Sequence, residues 1–347
     1  MGVIHIIPIS EPERKSVIEN IILTGHCVMV LGRIDTGKST FCRQLAFCAK
    51  AKGLKVAIID SDIGQSWIGP PTTVAMKIYN NESDMTLFPD DFYFVGSVTP
   101  ERHLIQTVVG AKRMVESAEL ANADLIIIDT TGLVDRPIGR ALKQSKIDLI
   151  KPDQIVCFQR ERELESLIGG SELDFCQIHR LVPSKYAERK SQDYRYRYRN
   201  QQFAQYFSDD VVYAFPFSQL KGQRDCFLNG SKATSKELEN ISTILDTEVI
   251  YAEFFCRGLF LITTRELSWT EKQKLCSQLR IDDLTVRVCD CYKNMLVALI
   301  NSKGDSLCLG LIEFIDFNNY ILSIKCKKEI AESAKVIQFS DFRIDNI

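Results

Sequence analysis

The sequence predicts an α/β protein in which a parallel β-sheet flanked by helices precedes a β-rich C-terminal domain. Two patterns predict this fold class. Between His26 and Asp129, short apolar runs alternate with amphipathic stretches of helical length, as in successive βα units around a parallel sheet. After residue 248, β-rich runs are separated by turn residues, which favours a small antiparallel barrel or sandwich.

The α/β part divides into elements in chain order. Strands are predicted at 27–31, 55–60, 125–129 and 154–158, and helices at 38–52 and from about 101 to 120. The run Leu125–Ile128 is uninterruptedly apolar, as expected of a strand covered on both faces. Gly53 follows the first of these helices and is expected to end it. Residues 1–22 are expected to supply an extra strand and a lead-in helix.

The C-terminal elements follow from composition and turns. Glu248–Thr264 and Leu284–Cys326 are β-rich, and turns are predicted at Asn301–Gly304 and Asn318–Asn319. The expected organisation is an N-terminal extension over 1–22, the α/β domain over 23–217 and the β-rich domain over 218–347.

The composition indicates a folded protein and excludes several classes. Of 347 residues, 45% are hydrophobic and 25% are charged, as in globular proteins. The net charge of -2 gives no overall positive field, so nucleic acid would have to bind a local patch. No apolar run approaches the roughly 18 residues of a membrane span, and the N-terminus lacks the order of a signal peptide. The 12 cysteines are scattered without CxxC pairs, so we expect reduced thiols in a soluble, cytoplasmic protein.

The strongest motif is Gly32-Arg-Ile-Asp-Thr-Gly-Lys-Ser39, which fits G-x-x-x-x-G-K-[ST] between a predicted strand and a predicted helix. In such a P-loop, backbone N–H groups and the helix N-terminus bind phosphates. The lysine reaches the β- and γ-oxygens, and the following hydroxyl ligates Mg2+. The motif therefore predicts a P-loop NTPase core that binds a nucleotide and Mg2+. The residues predicted to bind the nucleotide are Gly32, Asp35, Thr36, Gly37, Lys38, Ser39 and Thr40, with Lys38 also catalytic and Ser39 also a metal ligand.

Acidic residues follow two of the predicted strands. Asp60 and Asp62 follow the second strand, and Asp129 ends the third. Because the carboxyl ends of parallel strands line one ligand crevice, these carboxylates should lie near the phosphates. Asp129 and Asp62 are predicted to be ligands of Mg2+ together with Ser39. Asp62 is also predicted to accept the proton of an acceptor hydroxyl, with Gln65 beside it. Asp60 is either a site residue or a turn or cap residue.

A basic, aromatic helix is predicted at about residues 185–207. Between Lys185 and Arg199 the local charge balance is about +4. Arg195 and Arg199 are four residues apart, so both can face one polyphosphate and close over it as a lid. The tyrosines that alternate with these arginines could stack on bases, namely Tyr194, Tyr196 and Tyr198. The alternative is a solvated helix whose tyrosines pack on the domain.

Together these segments resemble the polynucleotide 5'-hydroxyl kinase family. That family includes the kinase subunit of the eukaryotic pre-mRNA cleavage complex, the nucleolar kinase of ribosomal RNA processing and shorter prokaryotic relatives. The resemblance spans roughly residues 25–210 and rests on 32–40, 60–71, 130–133 and on Arg195-x-x-x-Arg199 before Tyr206 and Phe207. It implies that 23–217 is a kinase domain. It also implies an ATP- and Mg2+-dependent enzyme that phosphorylates the 5'-hydroxyl end of RNA or single-stranded DNA.

The resemblance also implies roles for individual residues. These are Asp62 as general base, Gln65 beside the metal and acceptor, Arg195 and Arg199 as lid arginines, and Thr130, Thr131 and Gly132 in a clasp over the substrate. Several family members carry Trp in the clasp to stack on a terminal base, whereas this chain has Leu133. Leucine makes apolar contact but no comparable stacking. Trp67 lies in another segment, and the sequence does not decide whether it compensates.

Other functions stay open at this point. The P-loop together with Asp129-Thr-Thr-Gly132 also resembles dimerising ATPases, which suggests an ATP-binding scaffold or switch in a nucleic-acid-processing complex. A small-metabolite kinase is a further alternative, and it would need a closed acceptor pocket. The sequence leaves the choices between RNA and DNA and between ATP and GTP undecided, along with protein partners.

Overall fold

A computed structural model describes residues 12–81, 88–168, 175–184, 187 and 189–344. The chain divides into two compact units, one ending at Tyr206 and the other beginning at Phe207. The expected extra strand before residue 12 lies outside the described residues. No helix in the described part of the chain is long and apolar enough to cross a membrane.

The first unit alternates strands and helices, as predicted. Its strands are β1 (Cys27–Gly32), β2 (Val56–Ser61), β3 (Thr73–Tyr79), β4 (Asp91–Phe94), β5 (Leu125–Thr130), β6 (Gln154–Phe158) and β7 (Gln177–Leu181). Its helices are α1 (Pro12–Thr24), α2 (Lys38–Ala51), α3 (Leu104–Leu120), α4 (Arg136–Ile150), α5 (Glu165–Ile168) and α6 (Gln192–Tyr206). All four predicted strands, both predicted helices and the lead-in helix are therefore confirmed to within a few residues.

Among the described residues, the strands of this unit form one sheet in the order β4-β3-β2-β5-β1-β6-β7. Strands β2, β5, β1, β6 and β7 are parallel, which confirms the predicted parallel core. The antiparallel edge of β3 and β4 was not predicted. In this order β1 lies beside β5, and β5 lies beside β2. The segments that follow β1, β2 and β5 therefore emerge at one edge of the sheet.

Burial explains why the central strands are continuous apolar runs. Strands β1, β2 and β5 are buried along their whole length. On one face, Met29 and Ile128 share a core cluster with Met114 of α3 and Ile147 of α4. Helix α2 lies along β1, β2 and β5. Side chains on both faces of the strands are thus removed from water, as in parallel sheets generally.

The predicted lid helix begins later than expected. Helix α6 starts at Gln192 rather than near 185. Its residues are exposed or half-buried apart from Phe203 and Tyr206, which are buried. The charge pattern that suggested the helix extends further towards the N-terminus than the helix itself does.

The second unit is β-rich, as predicted, but it also contains helices. Its strands are β8 (Val211–Pro216), β9 (Lys221–Gln223), β10 (Ser231–Lys232), β11 (Val249–Phe255), β12 (Gly258–Thr263), β13 (Asp283–Val288), β14 (Met295–Ile300), β15 (Ser306–Asp316), β16 (Ile321–Cys326) and β17 (Val336–Arg343). Its helices are α7 (Ser235–Leu245), α8 (Trp269–Leu279) and α9 (Lys328–Ala331). The described strands form two sheets, in the orders β8-β16-β15-β14-β17-β9 and β10-β11-β12-β13.

The expectation of a purely antiparallel barrel or sandwich is wrong. Strands β12 and β13 are parallel, as are β17 and β9, because α8 and longer connections return the chain in the same direction. Helices α7 and α8 each begin with a capping box, formed by Thr234 with Glu237 and by Ser268 with Glu271. This motif, Ser or Thr followed three residues later by Glu, was readable in the sequence.

The units also divide earlier than the expected boundary at 217/218. Strand β8 pairs along its length with β16, from Val211 opposite Cys326 to Pro216 opposite Ile321. The segment after α6 therefore belongs to the β-rich unit.

A buried carboxylate organises one loop of the second unit. Glu253 is 2% exposed. Its Oε1 accepts hydrogen bonds from the Leu228 amide (3.0 Å) and the Tyr251 hydroxyl (2.7 Å). Its Oε2 accepts from the amides of Asn229 (2.9 Å) and Gly230 (2.8 Å). Four donors thus converge on one side chain, and hydrogen bonds to a charged group are the stronger kind.

Replacing Glu253 with Gln should lower the free energy of unfolding by about 2 kcal/mol. The new amide group would turn a donor towards donors and leave buried N–H groups unpaired. Urea unfolding followed by circular dichroism measures the change. Glu239→Gln, on the exposed face of α7, is the matched control and should lie within about 0.5 kcal/mol of the wild type. Equal stability of the two variants would contradict the assignment.

Candidate nucleotide-binding and phosphoryl-transfer site

The P-loop motif connects β1 to α2, as predicted. Gly37 has φ 89° and Asp35 has φ 55°, so the loop uses left-handed backbone at both positions. Such backbone favours glycine, which explains Gly37. Lys38 Nζ and Thr36 Oγ1 both donate to the Arg33 carbonyl oxygen, each at 2.8 Å. These bonds curl the loop around the N-terminus of α2, where backbone N–H groups have no partners within the helix.

A cavity of about 650 Å³ opens over this loop. Its lining includes the loop from Ile34 to Thr40, together with Asp62 and Gln65 from the segment after β2. Arg189, Lys190, Ser191 and Tyr194 line it as well. The structure thus brings most of the predicted nucleotide-binding residues into one space with the predicted base. The other predicted site residues are not among those that line it, namely Gly32, Asp129, Thr130, Thr131, Gly132, Arg195 and Arg199.

Asp129 ends β5 and is 1% exposed. Its Oδ2 accepts a hydrogen bond from Trp67 Nε1 at 2.9 Å, and its Oδ1 is buried without a hydrogen-bond partner among the described residues. Burial raises the pKa of this carboxyl, and the nearby Lys38 ammonium and the Ser39 hydroxyl oppose the rise. A buried carboxylate oxygen with no partner fits a cation or its bound water.

The donor set suits magnesium in particular. No group of three or more His, Cys, Asp or Glu side chains in the described part of the chain is arranged to hold a metal ion. Mg2+ does not need such a cage, because it is usually bound by one or two carboxylates, a hydroxyl, water and substrate phosphates. Ser39 and Asp129 therefore fit the ion together with a nucleotide.

Asp60 is a structural carboxylate, which settles the alternative left open by the sequence. Its Oδ2 accepts from the amides of Trp67 (2.6 Å) and Ile68 (3.1 Å), and its Oδ1 from the amide of Asp62 (3.0 Å). Burial, then the charges of Asp129 and Asp62, raises its pKa well above the usual value. Asp60 thus shapes the turn that carries Asp62.

Asp62 lies on that turn with its side chain at the cavity. Its Oδ1 accepts from the amides of Gly64 and Gln65, both at 3.2 Å. Its backbone carbonyl accepts from the Ser66 hydroxyl at 2.9 Å. These bonds fix the carboxylate in direction. Gln65 Nε2 donates to the Gly64 carbonyl at 3.0 Å, so its amide oxygen faces away from that bond.

The segment after β5 differs in part from the expected clasp. Thr130 is fully buried, and its hydroxyl donates to the Val30 carbonyl at 2.8 Å, so this side chain supports the sheet. The Thr131 carbonyl accepts from Lys143 Nζ at 2.6 Å. Gly132 lies directly on the P-loop, since a Cβ there would come within 2.5 Å of the Ile34 nitrogen. Close approach therefore requires glycine at this position.

The lid helix is tied to the P-loop by charge. Arg195 Nη2 donates to Asp35 Oδ2 at 2.5 Å, and the Lys190 amide donates to the same oxygen at 3.1 Å. The two charged side chains are 18% and 11% exposed. Burial, followed by the charge of Arg195, lowers the pKa of Arg199. Of the predicted lid pair, then, Arg195 contacts the loop and Arg199 lies half-buried one turn further on.

Two tyrosines of α6 make contacts within the protein. Tyr194 and Tyr198 stack with ring centroids 6.3 Å apart. The Tyr198 hydroxyl donates to the Ser66 carbonyl at 3.1 Å. Tyr194 is 48% exposed and lines the cavity, so it is the one of this pair that is open to a ligand.

Trp67 does not replace the missing tryptophan of the clasp. It is 8% exposed, and its ring lies under the Arg43 guanidinium at 4.5 Å. Its indole N–H donates a hydrogen bond to Asp129 Oδ2. The ring therefore lies beside Asp129.

Two functional neighbours were not predicted from the sequence. Lys143 and Lys146 of α4 are fully buried, and both lie next to the segments that follow β2 and β5. A signal was present. In α4 the two lysines fall at the same helical spacing as Leu142, Ile147 and Ile150, on the apolar stripe that faces the sheet.

Residues 32–209 match the family described as mRNA cleavage and polyadenylation factor CLP1 P-loop. The chain belongs to this family. A polyribonucleotide 5'-hydroxyl-kinase of Methanocaldococcus jannaschii is 29% identical over 324 residues, which are 92% of this chain and 87% of that protein. The enzyme of the same name from Pyrococcus furiosus is 29% identical over 321 residues, 91% of this chain and 87% of its own length. The Danio rerio polyribonucleotide 5'-hydroxyl-kinase Clp1 is 27% identical over 195 residues, 53% of this chain and 43% of that protein.

The fold of this CLP1-family chain also matches a solved structure. The Clp1p-Pcf11p complex aligns with a TM-score of 0.63 and 13% identity, covering 94% of this chain and 77% of that chain. The match confirms the predicted fold class of a P-loop core and a β-rich C-terminal domain.

Replacing Asp35 with Asn should loosen the lid helix. The change removes the charge-assisted bond to Arg195, which is worth about 1.5–3 kcal/mol, so hydrogen exchange of the amides at 192–199 should speed up about tenfold or more. Hydrogen-exchange mass spectrometry measures this. Asp148→Asn, on the exposed face of α4, should leave exchange in α6 unchanged. Equal protection in both variants would show that Asp35 does not hold the lid.

Proposed function

We propose that this protein is an ATP-dependent polynucleotide 5'-hydroxyl kinase that transfers the γ-phosphate of ATP to the 5'-hydroxyl end of RNA. The observation that carries the proposal is the position of Asp62 and Gln65 in the cavity over a complete P-loop. The relatives aligned over nine-tenths of the chain support it, because they are named polyribonucleotide 5'-hydroxyl-kinases.

The donor side binds the nucleotide phosphates. Backbone N–H groups of the loop and the N-terminus of α2 bind the phosphate oxygens. Lys38 exchanges its bond to the Arg33 carbonyl for the β- and γ-oxygens, where its charge stabilises the leaving ADP. Thr40 reaches the α-phosphate. Ser39 and Asp129 would hold Mg2+, which would supply positive charge to the phosphate oxygens.

The acceptor side activates the hydroxyl. The 5'-oxygen forms a bond to the γ-phosphorus while the bond from that phosphorus to the β–γ bridging oxygen breaks. The proton of the hydroxyl passes to the Asp62 carboxylate, which the amides of Gly64 and Gln65 hold in direction. The Gln65 amide orients the acceptor beside Asp62.

The lid completes the site electrostatically. Arg195 moves from Asp35 to the γ-phosphate, whose greater charge competes for the guanidinium. Arg199, one turn away on the same helix, adds a second cation. The segment at Thr131 and Gly132 lies against the P-loop and forms the wall at which the acceptor end arrives.

The partners proposed for this site are the 5' ends of RNA or single-stranded DNA, with RNA favoured by the names of the relatives. A cytoplasmic location is proposed because the 12 cysteines carry no sign of an oxidising compartment in their spacing. Leu133 in place of a stacking tryptophan implies modest selectivity for the terminal base.

Transfer of label from γ-labelled ATP to 5'-hydroxyl RNA and DNA oligonucleotides tests the proposal. Asp62→Asn should reduce kcat by about 10²–10⁴-fold, since it removes the general base and keeps the shape. Lys38→Ala and Arg195→Ala should each reduce transfer by at least about 10²-fold. Asp148→Asn is the control and should retain wild-type rates.

Two outcomes would contradict the proposal in different ways. Tight ATP binding without transfer to either oligonucleotide would favour an ATP-binding scaffold instead. Transfer to a free nucleoside at the rate seen with oligonucleotides would favour a small-metabolite kinase. The ratio of RNA to DNA rates gives the substrate class.

Replacing Leu133 with Trp should lower the KM for the oligonucleotide about five- to tenfold, because stacking on a base is worth about 1–3 kcal/mol. The KM for ATP should not change, since the substitution lies on the acceptor side. Steady-state kinetics with oligonucleotides that differ in the first base measure both values. Leu133→Met is the matched control, and an unchanged oligonucleotide KM in the Trp variant would place the terminal base elsewhere.

A further inference from the structure

Two lysines lie where lysine is rarely found. Lys143 and Lys146 are 0% exposed, in a helix whose other buried residues are apolar or glycine. Burying an ammonium group is costly unless partners compensate for the lost water. The proposed reaction gives neither residue a role, so their burial needs another explanation.

Lys146 joins the ends of two strands. Its Nζ donates to Ser61 Oγ at 2.7 Å, and Ser61 Oγ donates to the Asp129 carbonyl at 3.0 Å. Ser61 directly precedes Asp62, and Asp129 is the carboxylate that fits the metal. One chain of hydrogen bonds therefore links the backbone of the proposed base to the backbone of the metal-side acid.

Lys143 supports the neighbouring segment. Its Nζ donates to the Thr131 carbonyl at 2.6 Å. Thr131 precedes Gly132, which lies against Ile34 of the P-loop with no room for a Cβ. The bond from Lys143 thus holds the acceptor-side wall against the phosphate loop.

Nearby carboxylates offset part of the cost of burying these lysines. Burial lowers the pKa of Lys146 to about 8, and the charges of Asp62, Asp60 and Asp129 limit the decrease. Burial, with Lys146 and Lys38 nearby, lowers the pKa of Lys143 well below its usual value. The two lysines and the carboxylates therefore share a small buried volume, where hydrogen bonds are strong.

We propose that Lys143 and Lys146 are positioning residues of the active site, Lys146 for Asp62 and Asp129 through Ser61, and Lys143 for the acceptor wall at Thr131 and Gly132. The inference rests on the proposed kinase function for its kinetic consequences. The hydrogen-bond geometry on which it stands does not depend on that function.

The kinetic test separates the two lysines. Lys146→Met, which keeps the length and removes the donor, should lower kcat about tenfold or more with both KM values within about twofold, because small misplacements of reacting groups are expensive in rate. Ser61→Ala should give a similar loss, and the double variant should be no worse than either single one, since both remove the same link. Lys143→Met should instead raise the oligonucleotide KM about fivefold or more with the ATP KM unchanged. Lys151→Met, exposed at the end of α4, is the control.

A fold-level role predicts a different result. If the lysines only stabilise the fold, each Met variant should lose ATP affinity, kcat and melting temperature together, and that outcome would overturn the proposal. Positioning predicts a melting temperature at or above the wild-type value, because replacing a buried charge by an apolar group removes its desolvation cost. Additive losses in Lys146→Met and Ser61→Ala would also overturn it.

A spectroscopic readout keeps this inference separate from the proposed function. The chain has two tryptophans, and Trp269 is 74% exposed, so Trp269→Phe leaves Trp67 as the sole reporter beside Asp129. In that background Lys146→Met should shift the emission of Trp67, and Lys151→Met should not. If the wild type transfers no phosphate, the proposed function is contradicted. The Trp67 emission would still test the positioning role, because it does not depend on transfer. An unchanged Trp67 spectrum with an unchanged kcat would overturn the positioning role.

Discussion

Two buried carboxylates at the ends of neighbouring parallel strands constrain the whole site. Asp60 on β2 and Asp129 on β5 are directly paired across the two adjacent strands. Each is 1% exposed, so neither can be solvated by bulk water. Each must therefore be satisfied by nearby donors. Asp60 takes backbone amides from the turn that follows it, and Asp129 takes the indole of Trp67 and leaves one oxygen unpaired. The turn between them is thus fixed at both ends, and Asp62 sits on it.

The same constraint explains why the donor and acceptor halves are built differently. The donor half stands on strands that are buried along their whole length and on the first turn of α2, so its geometry is set by the core. The proposed acceptor half consists of the turn after β2 and the segment after β5. Neither segment is held by β-sheet hydrogen bonds, because the pairing of β2 with β5 ends at Ser61 and Thr130. Side chains must hold these segments, and the buried lysines of α4 reach them from beneath. Rigid support from α4 is what a site on loops requires.

Sequence reasoning recovered the parts of the molecule that local patterns encode. Continuous apolar runs gave the central strands, and the P-loop spacing gave the nucleotide site. It missed what depends on tertiary neighbours. The Thr130 hydroxyl bonds within the sheet and the Trp67 indole donates to Asp129, and both are consequences of packing that no local spacing reports. The buried lysines of α4 did leave a local signal, because they fall on its apolar stripe. Helices α7 and α8 were also not predicted, although the capping boxes at their N-termini are local sequence motifs.

The contact between Asp35 and Arg195 shows how such a site can be both closed and reactive. A guanidinium paired with a single carboxylate keeps the lid helix near the P-loop and its side chain desolvated, so little reorganisation is needed when phosphate arrives. The γ-phosphate carries more charge than a carboxylate and offers three oxygens to the planar donors of Arg195. In the proposed mechanism, Arg195 therefore exchanges Asp35 for the nucleotide when it binds and returns to Asp35 after release. An arginine with no protein partner would have to be drawn from water at every cycle, whereas the pairing with Asp35 keeps Arg195 already largely shielded from water.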